Sequence, residues 1–401
     1  FPPRPRKGRS KLPPGSKNLA NFSFDANADT PIHPEVLEAW VKAEKEAPGN
    51  PASLHREGRR AQGVLENARD RVGEALGCSA REIIFTSGAT EANNLAILGA
   101  ARALARESGG PISMISSEAE HPAVLGPLRL LQQEGFTLQL LPLTPEAVIQ
   151  EADLAAALAK TSRPTLLALQ WANNETGAIQ PFPIPEEGLH WHCDGVQGLG
   201  KIPLNDVVLG ADALVFSGHK IRGPKGVGVL KINPTAAFDP ILGGGGQQGG
   251  LRPGTESPAL AVAFAQALEL AIRDQEEFAL NAAQCREAFL RSLSKEVAEF
   301  SMHHSPANGI ANTLSLGFAG IDGRMLLPAC DAEGLRVSAG SACSSGAPEP
   351  SSVLRAAGLS KEAARSSLRI SFGWNTTPAE AELGGATLGV TVRRLYEVAI
   401  P

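Results

Sequence analysis

The sequence predicts an α/β protein with a large and a smaller domain, and three observations carry that reading. From Asp25 onward, short apolar runs alternate with stretches patterned as helices. Most of these runs end in a cluster of polar residues, as strands do at the ligand-binding edge of an open parallel sheet. The 401 residues exceed what one core usually organises, and no internal repeat divides them. The expected limits are an arm over 1–24, a large domain over 25–271 whose first residues can pack with the small domain, and a linker helix with a small α+β domain over 272–401.

Composition removes several function classes. With 37 Lys+Arg against 42 Asp+Glu and a net charge of −5, nothing points to nucleic acid. Five irregularly spaced cysteines make no disulfide framework, which suits a reducing, cytoplasmic setting. No run approaches the roughly 18 apolar residues of a membrane span. The first 20 residues carry Arg4, Arg6, Lys7, Arg9, Lys11 and Lys17 with prolines and no acid, the composition of a poorly ordered arm. They lack the apolar segment of a signal peptide.

In chain order, 83–85 read as a strand and Thr86-Ser87-Gly88-Ala89-Thr90-Glu91 as a tight turn into a helix bearing Leu95, Ile97 and Leu98. The first N–H groups of a helix lack partners and its dipole favours negative charge, so a phosphate fits there, on Ala89 N–H and the Thr90 hydroxyl. The same residues also suit an ordinary helix cap. Strands follow at 112–115, 166–169 and 190–193, running into His121, Asn173-Asn174-Glu175-Thr176-Gly177, and Asp194 with Gln197. Three polar strand ends fit one site at the carboxyl edge of a sheet. A strand at 213–216 then ends in Ser217-Gly218-His219-Lys220. Residues 272–298 read as the linker helix, with further strands at 313–316 and 368–372.

Lys220 is the centre of this pattern. A desolvated lysine loses its proton and condenses with an aldehyde as a Schiff base, although a lysine after a strand also fits a plain surface position. Pyridoxal 5'-phosphate is the aldehyde that best accounts for the remaining groups. Its ring nitrogen must stay protonated to draw electrons, and a buried carboxylate such as Asp194 favours that form. His121 suits stacking on the ring, and Asn174 and Gln197 suit its phenolic oxygen.

The motifs Asn50-Pro51-Ala52-Ser53-Leu54-His55, 86–93, Glu120-His121, 173–177, His192-Cys193-Asp194, 217–228, Arg252-Pro253-Gly254-Thr255, Ala339-Gly340-Ser341-Ala342-Cys343-Ser344-Ser345, Glu349-Pro350-Ser351, Val353-Leu354 and Ser367-Leu368-Arg369 stand in this order. Their order and spacing over about 24–375 resemble the cysteine desulfurases, fold-type I pyridoxal phosphate enzymes of the class V aminotransferase group. The resemblance implies a large domain with a mixed, mostly parallel seven-stranded sheet, and a homodimer. It implies Lys220 as the Schiff-base lysine. It gives Ala89, Thr90, Ser217 and His219 to the phosphate, with Thr255 reaching in from the partner subunit. Asn174, Asp194 and Gln197 would bind the pyridine ring, and His121 would stack on it and serve catalysis. Arg369, with Asn50 and Asn174, would take the substrate carboxylate, and Cys343 would be the nucleophile that leaves alanine and carries a persulfide to a sulfur-acceptor protein, an iron–sulfur scaffold or a sulfur carrier.

On its own terms Cys343 has the surroundings of a loop in Ser341, Ala342, Ser344, Ser345 and Gly346, where a thiolate can attack sulfur but an incidental exposed thiol also fits; Lys220 and the resemblance favour the first. The other cysteines, Cys78, Cys193, Cys285 and Cys330, read as structural. The long Ser/Gly loop resembles the desulfurases that feed scaffold-based iron–sulfur cluster assembly.

Two departures from the family pattern bear on substrate preference and the subunit contact: Asp29 in Ala28-Asp29-Thr30-Pro31, and Gly246-Gln247-Gln248-Gly249-Gly250 where a charged pair is usual. Three other readings stay open here. His190, His192 and Asp194 on one strand face suit zinc in a hydrolase. A selenocysteine lyase differs too little in chemistry to separate, and an idle scaffold would bind the cofactor without turnover.

Overall fold

The computed structural model describes residues 22–183, 186–339 and 350–399. Most of the basic arm and Cys343 lie outside them. In chain order the first elements are β1 (Phe22–Ser23), α1 (Pro34–Glu46), α2 (Arg56–Leu76), β2 (Ile83–Thr86), α3 (Ala89–Ser108), β3 (Ser113–Ser117) and α4 (Pro122–Gln133). There follow β4 (Thr137–Leu141), α5 (Glu151–Lys160), β5 (Thr165–Gln170), β6 (Leu189–Asp194), α6 (Asp206–Leu209), β7 (Ala213–Ser217) and β8 (Gly228–Ile232).

These strands form a seven-stranded sheet in the order β2-β8-β7-β6-β5-β3-β4, in which β8 runs antiparallel to both its neighbours and the other pairings are parallel. The central strands are buried along their whole length, because helices cover both faces and leave no solvated side. Since β2, β3, β5, β6 and β7 point the same way, their polar C-terminal residues meet at one edge. The chain leaves β3 for β4 on one side and returns to β5 on the other, so the order reverses at β3. A crevice opens at such a reversal, where ligands bind.

The second half comprises α7 (Pro258–Arg273), α8 (Gln275–Glu296), β9 (Ser301–Met302), β10 (Thr313–Gly317), α9 (Gly323–Ala332), β11 (Leu335–Arg336), α10 (Ser352–Ala356), α11 (Lys361–Arg365), β12 (Ser367–Ser371) and α12 (Pro378–Ala399). Here β12, β10 and β9 form an antiparallel sheet, and β1 pairs with β11. Phe24, Phe289 and Phe372 meet edge to face at 5.6–5.8 Å in a core of their own, so the first described residues pack with the C-terminal elements. The α7 helix belongs instead to the core of the large sheet.

The expected single helix over 272–298 is corrected. Ile272 lies in the last turn of α7, which ends at Arg273, the chain breaks at Asp274, and α8 runs from Gln275 to Glu296. The break is stabilised by charge: Asp274 accepts from Arg222 at 2.8 Å and from Arg273 at 2.6 Å, and no periodicity announces such a pairing.

Candidate active site

The turn expected to take a phosphate is built by backbone. Gly88 stands before α3 at φ 149°, a conformation that glycine adopts readily, and supplies no side chain to cap the helix. The helix N-terminus is thus left open for an anion. The alternative of a Thr90 cap is corrected: Thr90 is already inside the helix and exposed. A Cβ on Gly228 would lie 2.8 Å from the Gly88 backbone, so glycine at the start of β8 is what lets the turn sit this close. Ser217 at the end of β7 is buried, and Arg252 clamps Glu91 in the first turn of α3 at 2.6 Å.

Asp194 ends β6 in the interior. Its Oδ2 accepts from Asn93 Nδ2 at 2.8 Å and its Oδ1 from Val196 N–H at 3.1 Å. Burial pushes its carboxyl up, while His121, the Val196 and Asn93 bonds and Lys220 pull it back. His121, expected on a loop, caps α4: its Nδ1 accepts from Ala123 N–H at 3.1 Å, so Nε2 carries the proton of the neutral ring. Burial, outweighing the attraction of Asp194, keeps that ring below the usual histidine range. Preceding it, Glu120 is fully enclosed and pushed well up by burial, with Oε1 accepting from Gln170 N–H.

Lys220 follows β7 in a short 3-10 turn, half-buried, with Nζ donating to Asn27 O at 2.6 Å and Ala28 O at 2.7 Å. Asn27 ties the site together. Its carbonyl also accepts from Gln197 Nε2 at 3.0 Å, its Oδ1 accepts from Lys201 Nζ at 3.0 Å, and its Nδ2 donates to Thr313 Oγ1 at 2.8 Å and Asn174 O at 3.2 Å. Lys201 Nζ donates further to Gln197 Oε1. Burial first, then Lys220 and Arg369, hold the Lys201 ammonium well below the usual lysine range.

Arg369 on β12 brings the small domain into this cluster. It is 4% exposed, with Nη2 on Asp25 Oδ1 at 2.6 Å and Nη1 on Asn174 O at 3.1 Å. Its Nε is buried without a hydrogen-bond partner among the described residues, a donor suited to a carboxylate.

The structure thus gathers His121, Asn174, Asp194, Gln197, Lys220 and Arg369. It leaves Asn50 exposed, its Oδ1 accepting from Ala52 N–H at 2.9 Å, and Thr255 exposed before α7. The sequence reading missed Asn27, Asn93 and Lys201. Their signals were present: Asn27 sits beside the family's N-terminal motif, Asn93 one turn after Thr90, and Lys201 four residues after Gln197.

Both departures have structural partners. Asp29 pairs with His219 Nδ1 at 3.1 Å and Lys225 Nζ at 2.6 Å, so its charge at the entrance is balanced. Gln248 accepts from Arg69 Nη1 at 2.8 Å and Phe85 N–H at 3.0 Å and donates to Glu256, which fastens its loop to β2. Glutamate could not make that last donation.

The four described cysteines are unpaired; burial pushes Cys78 and Cys285 up to about 11 and Cys330 up to about 12, which makes them poor nucleophiles. The zinc alternative is corrected as well. Among the described residues no group of three His, Cys, Asp or Glu is placed to hold a metal ion, and His192 Nε2 is bonded to Asn93 Oδ1 at 2.8 Å.

Burial and neighbouring His190 push the His192 ring down to about 3, from an ordinary 6.5. Below 6.5 the unfolded chain takes up a proton there that the folded chain refuses, so stability falls with pH until about 3. At about pH 5 the loss from this residue is about 2 kcal/mol. Urea unfolding at about pH 7.5 and about pH 5 should show a smaller acid-induced loss for His192→Gln than for wild type, by about that amount.

A lysine, an enclosed carboxylate and an uncapped helix N-terminus at the carboxyl edge of this sheet define an α/β enzyme of the aminotransferase type. Residues 22–383 match the model of the aminotransferase class-V family, and the chain belongs to that family, in its cysteine desulfurase group. It is 38% identical over 359 residues to the cysteine desulfurase IscS of Dictyoglomus turgidum, covering 88% of this chain and 90% of the relative. Among solved structures, a NifS-like protein superposes with a TM-score of 0.84 at 30% identity, over 94% of this chain and all of the other. A structure described as SspA in complex with cysteine matches with a TM-score of 0.73 at 30% identity, over 87% and 98%.

Proposed function

We propose that this protein is a pyridoxal phosphate-dependent L-cysteine desulfurase that releases L-alanine and keeps the sulfur on Cys343 as a persulfide. The observation that carries the reading is that Lys220 and Gln197 meet on the Asn27 carbonyl, beside Arg369 on the neighbouring Asp25 and Asn174, with Asp194 close enough for Lys220 to pull its carboxyl down. The cradle fits the cofactor: an uncapped helix N-terminus for the phosphate, a buried carboxylate for the ring nitrogen and an adjoining lysine.

When bound, the cofactor supplies an electron sink at the substrate's α-carbon. Ala89, Thr90, Ser217 and His219 would hold its phosphate, and Lys220 would carry it through Nζ. Asp194 would keep the ring nitrogen protonated, His121 would lie against the ring, and Asn174 and Gln197 would bind its phenolic oxygen. Arg369, with Asn174 beside it, grips the substrate carboxylate, which orients the amine towards Lys220. The Cys343 thiolate then bonds to the substrate sulfur as the Cβ–S bond breaks. The electron pair stays with carbon, which takes a proton to become the methyl group of alanine.

Thr255 is exposed and apart from the gathered groups; we assign it to the site of a second copy, in a homodimer. No helix among the described residues is long and apolar enough to cross a membrane. We place the enzyme in the cytoplasm, passing its sulfur to a scaffold or carrier protein. We divide the chain into an arm over 1–24, a large domain over 25–271 and a linker with a small domain over 272–401.

The test is alanine and sulfide production from L-cysteine with a thiol reductant, with the visible spectrum recorded. Wild type should be yellow and active; Cys343→Ala should stay yellow and lose sulfide release at least about 100-fold. A yellow wild type that leaves L-cysteine unchanged rejects the reading.

A further inference from the structure

Asp194 is the end of a buried chain of hydrogen bonds. Asn93 and His192 are both fully enclosed, one on α3 and the other on β6, two residues before Asp194 and on the same strand face. The directions of the bonds follow from the donors available. An amide oxygen only accepts, so the 2.8 Å contact between His192 Nε2 and Asn93 Oδ1 places the ring proton on Nε2. The amide nitrogen then donates to Asp194 Oδ2 at 2.8 Å. His190 stands two residues back on the same face, and its nearby charge is Asp212.

We infer that Asn93 and His192 are positioning residues for the cofactor's ring nitrogen: His192 locks the Asn93 amide, and Asn93 in turn holds Asp194 in its ionised form and fixed orientation. An amide can turn over and exchange its oxygen and nitrogen. Here the turned amide would set Oδ1 against the Asp194 carboxylate and its NH₂ against the His192 N–H. The first contact would be repulsive because a carboxylate only accepts, so Asp194 sets the choice, and the His192 Nε2–H, donating to the amide oxygen turned towards it, anchors the amide in that orientation. Burial lifts the Asp194 carboxyl, and the Asn93 and Val196 bonds oppose that lift. Without Asn93, Asp194 would pick up a proton more readily and would hold a protonated ring nitrogen less well.

This inference rests on the proposed cofactor role, and the experiment separates the two. Full-length wild type, Asn93→Ala, His192→Leu and His192→Gln are stripped and titrated with pyridoxal 5'-phosphate and with its 1-deaza analogue, whose ring has carbon in place of nitrogen. Asn93→Ala and His192→Leu should weaken pyridoxal phosphate about 10-fold while changing the analogue less than about 2-fold. His192→Gln, which keeps a donor near the Nε2 position, should restore most of the affinity. Equal losses for both compounds would show a merely structural role and overturn the inference, as would unchanged affinity for pyridoxal phosphate. If one replacement does not fold, the other still decides, because each removes one link. A wild type that binds neither compound would instead sink the proposed function.

Discussion

Lys220→Ala should abolish cysteine turnover, by at least about 10⁴-fold, and should take away the visible band of the bound cofactor. The reason lies in the amine's position: its Nζ reaches the carbonyls of Asn27 and Ala28, the segment that also holds Gln197 and Lys201. Alanine leaves nothing there to take or return a proton. Arginine should be equally inactive, because a guanidinium does not give up its proton near neutral pH. Added methylamine should restore part of the activity to Lys220→Ala and none to Lys220→Arg. Turnover in the alanine variant without added amine, within about 10-fold of wild type, would remove Lys220 from the chemistry.

Arg369→Gln should raise KM for L-cysteine by about 10–100-fold, from the loss of a charge-assisted pair to a carboxylate. Arg369 is enclosed, anchored by Asp25 and the Asn174 carbonyl, and still has Nε to offer. The Asp25 contact fixes the plane of the guanidinium, so Arg369→Lys should recover only part of the loss: an ammonium keeps the charge without the fork. Binding of L-alanine and of ethylamine, followed by the cofactor's visible band, gives the control. The variant should lose affinity for alanine and keep it for ethylamine, which has no carboxylate. Equal losses for both amines would mean that Arg369 holds the domains together and does not grip the substrate. Glu175 sets a structural background to this experiment: burial pushes its carboxyl up, and it accepts from Ser351 Oγ close to Arg369.

Much of this protein is legible in the sequence because strands are local. The runs at 83–85, 166–169, 190–193 and 213–216 each fall within an observed strand, with limits moved by at most one residue. A buried parallel strand needs an unbroken apolar run, and its ligand-bearing end needs polar residues. Both are written in a few consecutive letters. The placing of Lys220 and Asp194 at strand ends could therefore be read before any coordinates, as could the turn at Gly88, while its lack of a cap was decided by the structure. The motif order that resembles the cysteine desulfurases is also a one-dimensional property, and the comparisons agree with it.

The tertiary structure decided what depends on partners distant in the chain. Asn27 gains its place from Gln197, Lys201 and Thr313, which stand 170, 174 and 286 residues away. The break at Asp274 depends on Arg222, and the neutral form of His192 on complete enclosure beneath α3. Asp29 and Gln248 stand in the sequence only as departures from the family pattern, and the fold shows each to be held by neighbours. The physical reason is the same throughout. Periodicity and strand ends are set by backbone geometry over a few residues, whereas charge balance, tautomer and amide orientation are set by whichever groups the fold brings within hydrogen-bonding distance.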